Sequence, residues 1–263
     1  MSKNTSFVLT ALFTLSILSS CRKVYDYIHD HPDGHESLCR VMKMSVRTSY
    51  SANLYTFSYN AKGDPISILD SGRIGTFGND DQYFRYDRFG RLSDYVGTFI
   101  GQTNDVIFWH KYAYARPNFI TDTTLFYIGD VTKPSPNAAD AVNGYSIHAY
   151  TLDAYGRIAG IYDANGNLVQ SNPDRYYDDK VNVYRTSKVW QFVYQNYSRN
   201  NLLPRSPGNP YPRLPDPVYN DFGLPLQLPN SFERTMGLFG ENNIDPTIDI
   251  TYACALSNGP INY

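Results

Sequence analysis

Three groupings in this 263-residue chain have side chains that could do chemistry. The first is His29-Asp30-His31-Pro32-Asp33-Gly34-His35, where His29, His31 and His35 offer imidazole nitrogens to a transition metal. Its spacing matches no structural zinc pattern, and Pro32 and Gly34 break the segment, so a polar spacer stands beside the metal reading. The second grouping is the adjacent acids Asp80-Asp81 and Asp178-Asp179. Neighbours on a strand face opposite ways, so neither pair can serve as general acid and base together. Solvated turn charges or weak calcium ligands are the readings left. The third is His110 beside Trp109, together with His148, and neither histidine has a partner that sequence alone can show. The chain has no Gly-x-Ser-x-Gly elbow, His-Glu-x-x-His helix, phosphate-binding glycine loop or EF-hand run, so no cofactor is expected.

Two thiols invite a bond. Cys39 opens the first expected strand and Cys254 lies near the end of a late one. Outside the cytosol such a pair bridges, provided the two strands are neighbours; two small buried apolar residues are the alternative. Exposed aromatics that could stack on a ligand are Trp109, Tyr211 and Tyr219; Tyr211 lies within, and Tyr219 just after, a run with six prolines between Leu203 and Val218. That run reads as an extended, solvated loop or as a rigid platform carrying its tyrosines.

The elements that must hold these residues are strands. The chain carries 24 Tyr and 14 Phe, alternating with β-branched residues between Gly, Asn and Pro punctuation. Cys39 to Thr48 reads as the first strand, with Met42, Met44 and Val46 on one face. Tyr55, Phe57 and Tyr59 alternate in the next, and Ile66 and Ile68 in its return. Asp105–Ala115 and Asn118–Ile128 read as two longer strands joined at Arg116-Pro117. Ser187 can cap one short helix in which Trp190, Val193, Tyr194 and Tyr197 form an aromatic stripe, more suited to plugging a sheet than to holding a cofactor. A net charge of −2 with interspersed signs argues against nucleic acid as a partner. The expected fold is all-β: one twisted antiparallel meander able to curl into an open barrel, with one short helix. A two-sheet sandwich is the alternative.

One phrase recurs: an apolar residue, Asp or Asn, two variable residues, then Gly. Its copies are Tyr59-Asn60-Ala61-Lys62-Gly63, Tyr86-Asp87-Arg88-Phe89-Gly90, Leu152-Asp153-Ala154-Tyr155-Gly156, Tyr162-Asp163-Ala164-Asn165-Gly166 and Tyr219-Asn220-Asp221-Phe222-Gly223. The Asp or Asn side chain accepts from backbone N–H groups further on, and the glycine supplies the positive φ that closes a type I turn with a bulge. The phrase resembles the YD repeat of RHS-type proteins. More closely, the chain resembles Bacteroidetes-type lipoproteins with a few degenerate YD-like hairpins. Tyr177-Asp178-Asp179-Lys180-Val181-Asn182 and Ser198-Arg199-Asn200-Asn201 resemble two further phrases of that family, with Val183 where proline is usual.

Met1 to Ser20 reads as a signal segment: Lys3, an apolar run from Phe7 to Leu18 too short to span a bilayer, then Leu18-Ser19-Ser20-Cys21. That ending resembles a bacterial lipobox, which implies acylation of Cys21 and cleavage before it. Residues 21–38 are then a tether and 39–263 a single β domain. Arg22 and Lys23 after the cysteine favour, by the same resemblance, the outer membrane, with the leaflet left open. The expectation is a non-catalytic, lipid-anchored envelope module whose partners are the membrane and a glycan, peptide or envelope protein. A polymer hydrolase with carboxylates from distant loops is the alternative.

Overall fold

The structure is a computed structural model describing residues 39–47, 52–71, 81–99, 101–103, 106–126, 129–137, 139, 141, 144–154, 156–159, 162–163, 165–169, 175–204, 216–229, 247–256 and 259–262. In chain order the strands are β1 (Cys39–Arg47), β2 (Ala52–Tyr59), β3 (Pro65–Asp70), β4 (Asp81–Tyr86), β5 (Leu92–Thr98), β6 (Val106–Arg116), β7 (Phe119–Phe126) and β8 (Tyr145–Thr151). They continue as β9 (Arg175–Val181), β10 (Asn200–Pro204), β11 (Val218–Tyr219), β12 (Pro225–Pro229), β13 (Thr247–Leu256) and β14 (Gly259–Asn262). Twelve of them form one antiparallel sheet in the order β11-β12-β13-β1-β2-β3-β4-β5-β6-β7-β8, with β14 also on β13, while β9 and β10 make a separate pair. The ends of that order do not pair, so the sheet is open. The expected meander is present from β1 to β8, and the sandwich alternative is not what forms. The late strand β13 inserts between β12 and β1, which brings the two ends of the domain together.

All five corners have one construction. Each opening residue pairs with the residue six places on: Tyr59 with Pro65, Tyr86 with Leu92, Tyr219 with Pro225, Leu152 with Ile158 and Tyr162 with Leu168. At the second corner the Asp87 carboxylate accepts from Phe89 N at 2.8 Å and Arg91 N at 3.0 Å, and Gly90 N donates to Asp87 O at 2.9 Å. Asn60, Asp153, Asp163 and Asn220 accept from the backbone in the same way. The glycines all have positive φ: Gly63 94°, Gly90 78°, Gly156 76°, Gly166 81° and Gly223 75°. The two central corners depart from expectation. Asp153–Gly156 and Asp163–Gly166 turn the chain, yet each is closed by a single bridge; β8 leads into the first of them, but among the described residues no strand directly follows it. The residues between them, Ile158 to Tyr162, are too few to run a ladder between two reversals.

The glycines differ in what surrounds them. A Cβ at Gly90 would meet nothing within 4 Å, whereas one at Gly63 would lie 2.3 Å from the Arg40 guanidinium, itself 5.8 Å from the centre of the Tyr59 ring. Gly90→Ala should therefore cost about 1–2 kcal/mol, the left-handed backbone penalty alone. Gly63→Ala should cost somewhat more, because the Arg40 guanidinium, the end of a flexible side chain, must also move aside. Paired urea-unfolding curves check this; equal costs would mean that Arg40 yields freely.

The abundance of tyrosine has a structural reason. A bulge takes a carbonyl out of the ladder, and at several bulges a tyrosine from the neighbouring strand donates to it. Tyr59 donates to Val41 O at 2.6 Å, Tyr86 to Pro65 O at 2.7 Å, Tyr114 to Leu92 O at 2.8 Å and Tyr252 to Pro225 O at 2.8 Å. The same pattern reaches the fourth corner, where Tyr177 donates to Leu168 O at 2.7 Å. Carbonyls left buried without a donor cost about 1–3 kcal/mol each, so these hydroxyls help decide whether the corners can be buried.

Met42 is a correction. A bulge between Val41 and Lys43 shifts the register, so Cys39, Val41, Met44 and Val46 are the buried residues of β1 and Met42 is only partly covered. Ile66 is another, 40% exposed while Ile68 is fully buried.

The helix is shorter than the stripe predicts: a 3-10 turn at Val183–Thr186 and one α-turn, α1 (Trp190–Val193). Ser187 still serves its start, accepting from Val189 N at 3.3 Å. Gln195, at φ 51°, ends the turn before Tyr197, which is buried beneath the Arg185 guanidinium at 3.9 Å. The plug itself is present. Trp190 is fully buried, edge-on to Phe57 at 6.2 Å and Phe84 at 5.7 Å, and its indole N–H donates to Thr186 Oγ1 at 3.2 Å. A second, smaller core of Val96, Val106, Trp109, Leu125 and Val131 fills the other face of the sheet. Tyr95 and Val96 are thus both buried, one against each core. No helix among the described residues is long and apolar enough to cross a membrane.

Candidate functional site

Cys39 and Cys254 sit opposite each other in the β1–β13 register and form a disulfide, with Cα atoms 3.9 Å apart. The neighbourhood that the bridge required is supplied by the late strand's return. Cys21, His29, His31, His35, Asp80 and Tyr211 lie outside the described residues.

Trp109 is not available for stacking on a ligand. It is 1% exposed in the second core, its indole N–H donates to Asp94 Oδ1 at 2.8 Å, and the Arg85 guanidinium covers its ring at 4.8 Å. The loop 129–137 lies over it, because Arg85 donates to Val131 O and Lys111 to Pro136 O. Tyr219 is half-buried, and its hydroxyl donates to Asp178 Oδ2 at 2.5 Å. Burial first, then that carboxylate, pushes its pKa up.

Asp178 in turn is filled by protein donors. It accepts from Lys180 N at 3.0 Å, Asn201 N at 2.9 Å and Asn201 Nδ2 at 3.0 Å, in addition to Tyr219. This leaves no vacancy for calcium on Asp178. Asn182 Nδ2 donates to Asn200 O at 2.9 Å, Asn200 Nδ2 to Lys180 O at 3.0 Å, and Leu168 N to Ser198 Oγ at 3.0 Å. Tyr177–Asn182 and Ser198–Asn201 are therefore halves of one polar knot, which ties β9 and β10 to the fourth corner and to β11. Asp81 is likewise structural, accepting from Asp70 N at 3.0 Å and Gly101 N at 2.9 Å.

The arrangement that sequence does not show is His110 with Asp122. His110 Nδ1 lies 3.0 Å from both oxygens of Asp122, which is 3% exposed, and 3.1 Å from Thr124 Oγ1. Its ring stacks between Tyr95 at 5.4 Å and Tyr112 at 6.2 Å. Register explains the meeting: His110 pairs with Thr124, Tyr112 with Asp122, and Asp122 in turn with His148 on β8. With Nδ1–H donated to the carboxylate, Nε2 is the acceptor, the orientation a general base or a metal ligand needs. A metal would need more: among the described residues no three His, Cys, Asp or Glu side chains converge. Nor does Asp94, the other buried acid of this region, join it. Asp94 pairs with Lys111 while Asp122 pairs with Tyr112, the next residue along β6, so the two carboxylates face opposite sides of the sheet. Chain position does not show the pair: an equal-armed reversal at Arg116-Pro117 would set residue 110 opposite 123, and the bulge between Tyr114 and Arg116 is what brings it opposite 124.

No family model and no curated protein matches this chain. Among solved structures, a porin-like protein from Bacteroides uniformis ATCC 8492 is similar at TM-score 0.23 and 9% identity, over 81% of this chain and 97% of that chain. A likeness at that score bears on neither fold nor role.

Proposed function

We propose that the chain is a lipid-anchored cell-envelope protein, held by acylated Cys21 in the outer membrane, whose β domain is a non-catalytic binding or structural module. The Cys39–Cys254 bridge carries the reading, because such bonds persist beyond the reducing cytosol, and it starts only a short tether after the lipobox-like Leu18-Ser19-Ser20-Cys21. The non-catalytic part is supported by how the described acids are used: Asp81, Asp94 and Asp178 are taken up by backbone and side-chain donors. Glycan, peptide or envelope-protein recognition by the open sheet fits this reading.

Feeding the native host an alkyne palmitate should label the wild-type chain and leave Cys21→Ala unlabelled. An unlabelled, uncleaved wild-type chain would remove the anchor.

The hydrolase reading has one observation in its favour, the oriented His110 imidazole. The purified mature chain, tested on envelope and plant glycans, is expected to bind without releasing reducing ends. Release that His110→Ala abolishes would put the enzyme reading in its place.

A further inference from the structure

We infer that β8 is the contact strand of a symmetric homodimer, in which a second copy of this chain adds its own β8 antiparallel and extends the sheet across a two-fold axis at Ile147. The two edges of the sheet are unlike. One is blunted: β11 is two residues long, β12 begins and ends in Pro225 and Pro229, and β14 contains Pro260. Short strands and prolines are how sheets avoid pairing with another chain. The β8 edge has none of these devices. Tyr145–Thr151 reads YSIHAYT, with no proline and no Asp, Glu, Lys or Arg, and it pairs with β7 through seven residues without a bulge. Tyr145 is 56% and Ile147 58% exposed, and among the described residues no strand pairs with its outer side.

Backbone parity fixes the register. Thr151 O accepts from Ala159 N at 2.7 Å, outside the sheet, whereas Leu152 N donates to Asn118 O on the β7 side. Alternate residues of a strand point their N–H and C=O to opposite neighbours, so Tyr145, Ile147 and Ala149 share the outward direction of Thr151. The 153–159 turn occupies the edge at Thr151, which leaves those three residues as the open stretch. They are centred on Ile147.

Antiparallel pairing about that residue sets Ile147 against Ile147 of the second copy and Tyr145 against Ala149. Each such pair exchanges both of its N–H···O bonds. The side chains then match a branched aliphatic with its equal and a broad ring with a small methyl. On the other face Ser146 meets His148, a hydroxyl beside an imidazole, so no like charges are set opposite one another. A strand that pairs with itself in this way meets its own complement only in a second copy.

Sedimentation velocity of the full mature chain in detergent, over a range of protein concentrations, tests the proposal. The wild type should reach twice the chain mass. Ile147→Lys, at a site already exposed, should weaken association at least tenfold while leaving the thermal unfolding curve in place. Mild oxidation supplies a register test. Ile147→Cys should give a reductant-sensitive dimer band, because the two introduced thiols lie at the axis. Tyr145→Cys should not, its two copies being about 14 Å apart along the strand. A wild type that stays monomeric, an I147K chain that dimerises unchanged, or Y145C cross-linking as readily as I147C would each overturn it. None of these readouts depends on whether Cys21 is acylated.

Discussion

Replacing Cys39 and Cys254 together by serine should lower the unfolding free energy by up to about 5 kcal/mol, the chain-entropy value for so long a loop. The bonded residues are 215 apart in sequence, so nearly the whole domain lies inside the covalent ring. Loss of the bond frees the unfolded chain and leaves the folded one much as it was, with β1 and β13 still paired over Arg40–Arg47. Both cysteines are 1% exposed, so reduction under native conditions should be slow and should speed up as the protein opens. Guanidinium unfolding of the wild type with and without reductant, beside the double serine variant, reads the effect directly. Identical midpoints in all three would show that the bond does not limit the unfolded ensemble. A domain stapled in this way needs no tight contact between its two outer edges, which is consistent with an open sheet.

How far the sequence disclosed the fold depended on the range of the interaction. The corners are local: Asp87, Gly90 and the carbonyls they serve lie within five residues, and their geometry is written in the phrase itself. All five turn as expected, yet the phrase does not say whether strands follow. Ile158 to Tyr162 shows that a corner can form on a single bridge when the next corner comes too soon. Met42 was misplaced for a similar reason, since a bulge is a property of two strands and β13 lies far off in sequence. Trp109 looked like a surface ring because its strand alternates, but β5 to β7 are packed on both faces, and the loop 129–137 that buries Trp109 has no apolar period to announce it. The Asp178 knot and the His110–Asp122 pair are the clearest losses. Each joins residues whose meeting is set by register, and chain position alone shows neither.

Raising the pH past about 10 should unfold the domain cooperatively, with tyrosine ionisation arriving together with loss of structure and not before it. Burial first of all pushes the hydroxyls of Tyr59, Tyr112, Tyr194 and Tyr252 well above the ordinary tyrosine range. All four are also donors: Tyr59 to Val41 O, Tyr252 to Pro225 O, Tyr194 to Gln82 Oε1 at 2.8 Å and Tyr112 to Phe192 O at 3.4 Å. The sign follows from linkage. A pKa higher in the folded than in the unfolded state means that the unfolded chain releases protons first. Stability is therefore complete below pH 10 and falls as pH rises above it. One unit beyond the unfolded value, each such group gives up about 1.4 kcal/mol, and the four together about 6 kcal/mol. That is comparable with the whole stability of an ordinary domain, about 5–15 kcal/mol. Absorbance at the tyrosinate band and far-ultraviolet circular dichroism, followed through one alkaline titration, should move as a single transition. Tyr252→Phe removes one ionising group and should shift that transition to higher pH, even though the Pro225 carbonyl loses its donor and the protein is weaker at neutral pH. Smooth tyrosine titration near pH 10 with the sheet intact would mean that the hydroxyls are open to water and that the bulge carbonyls do not depend on them.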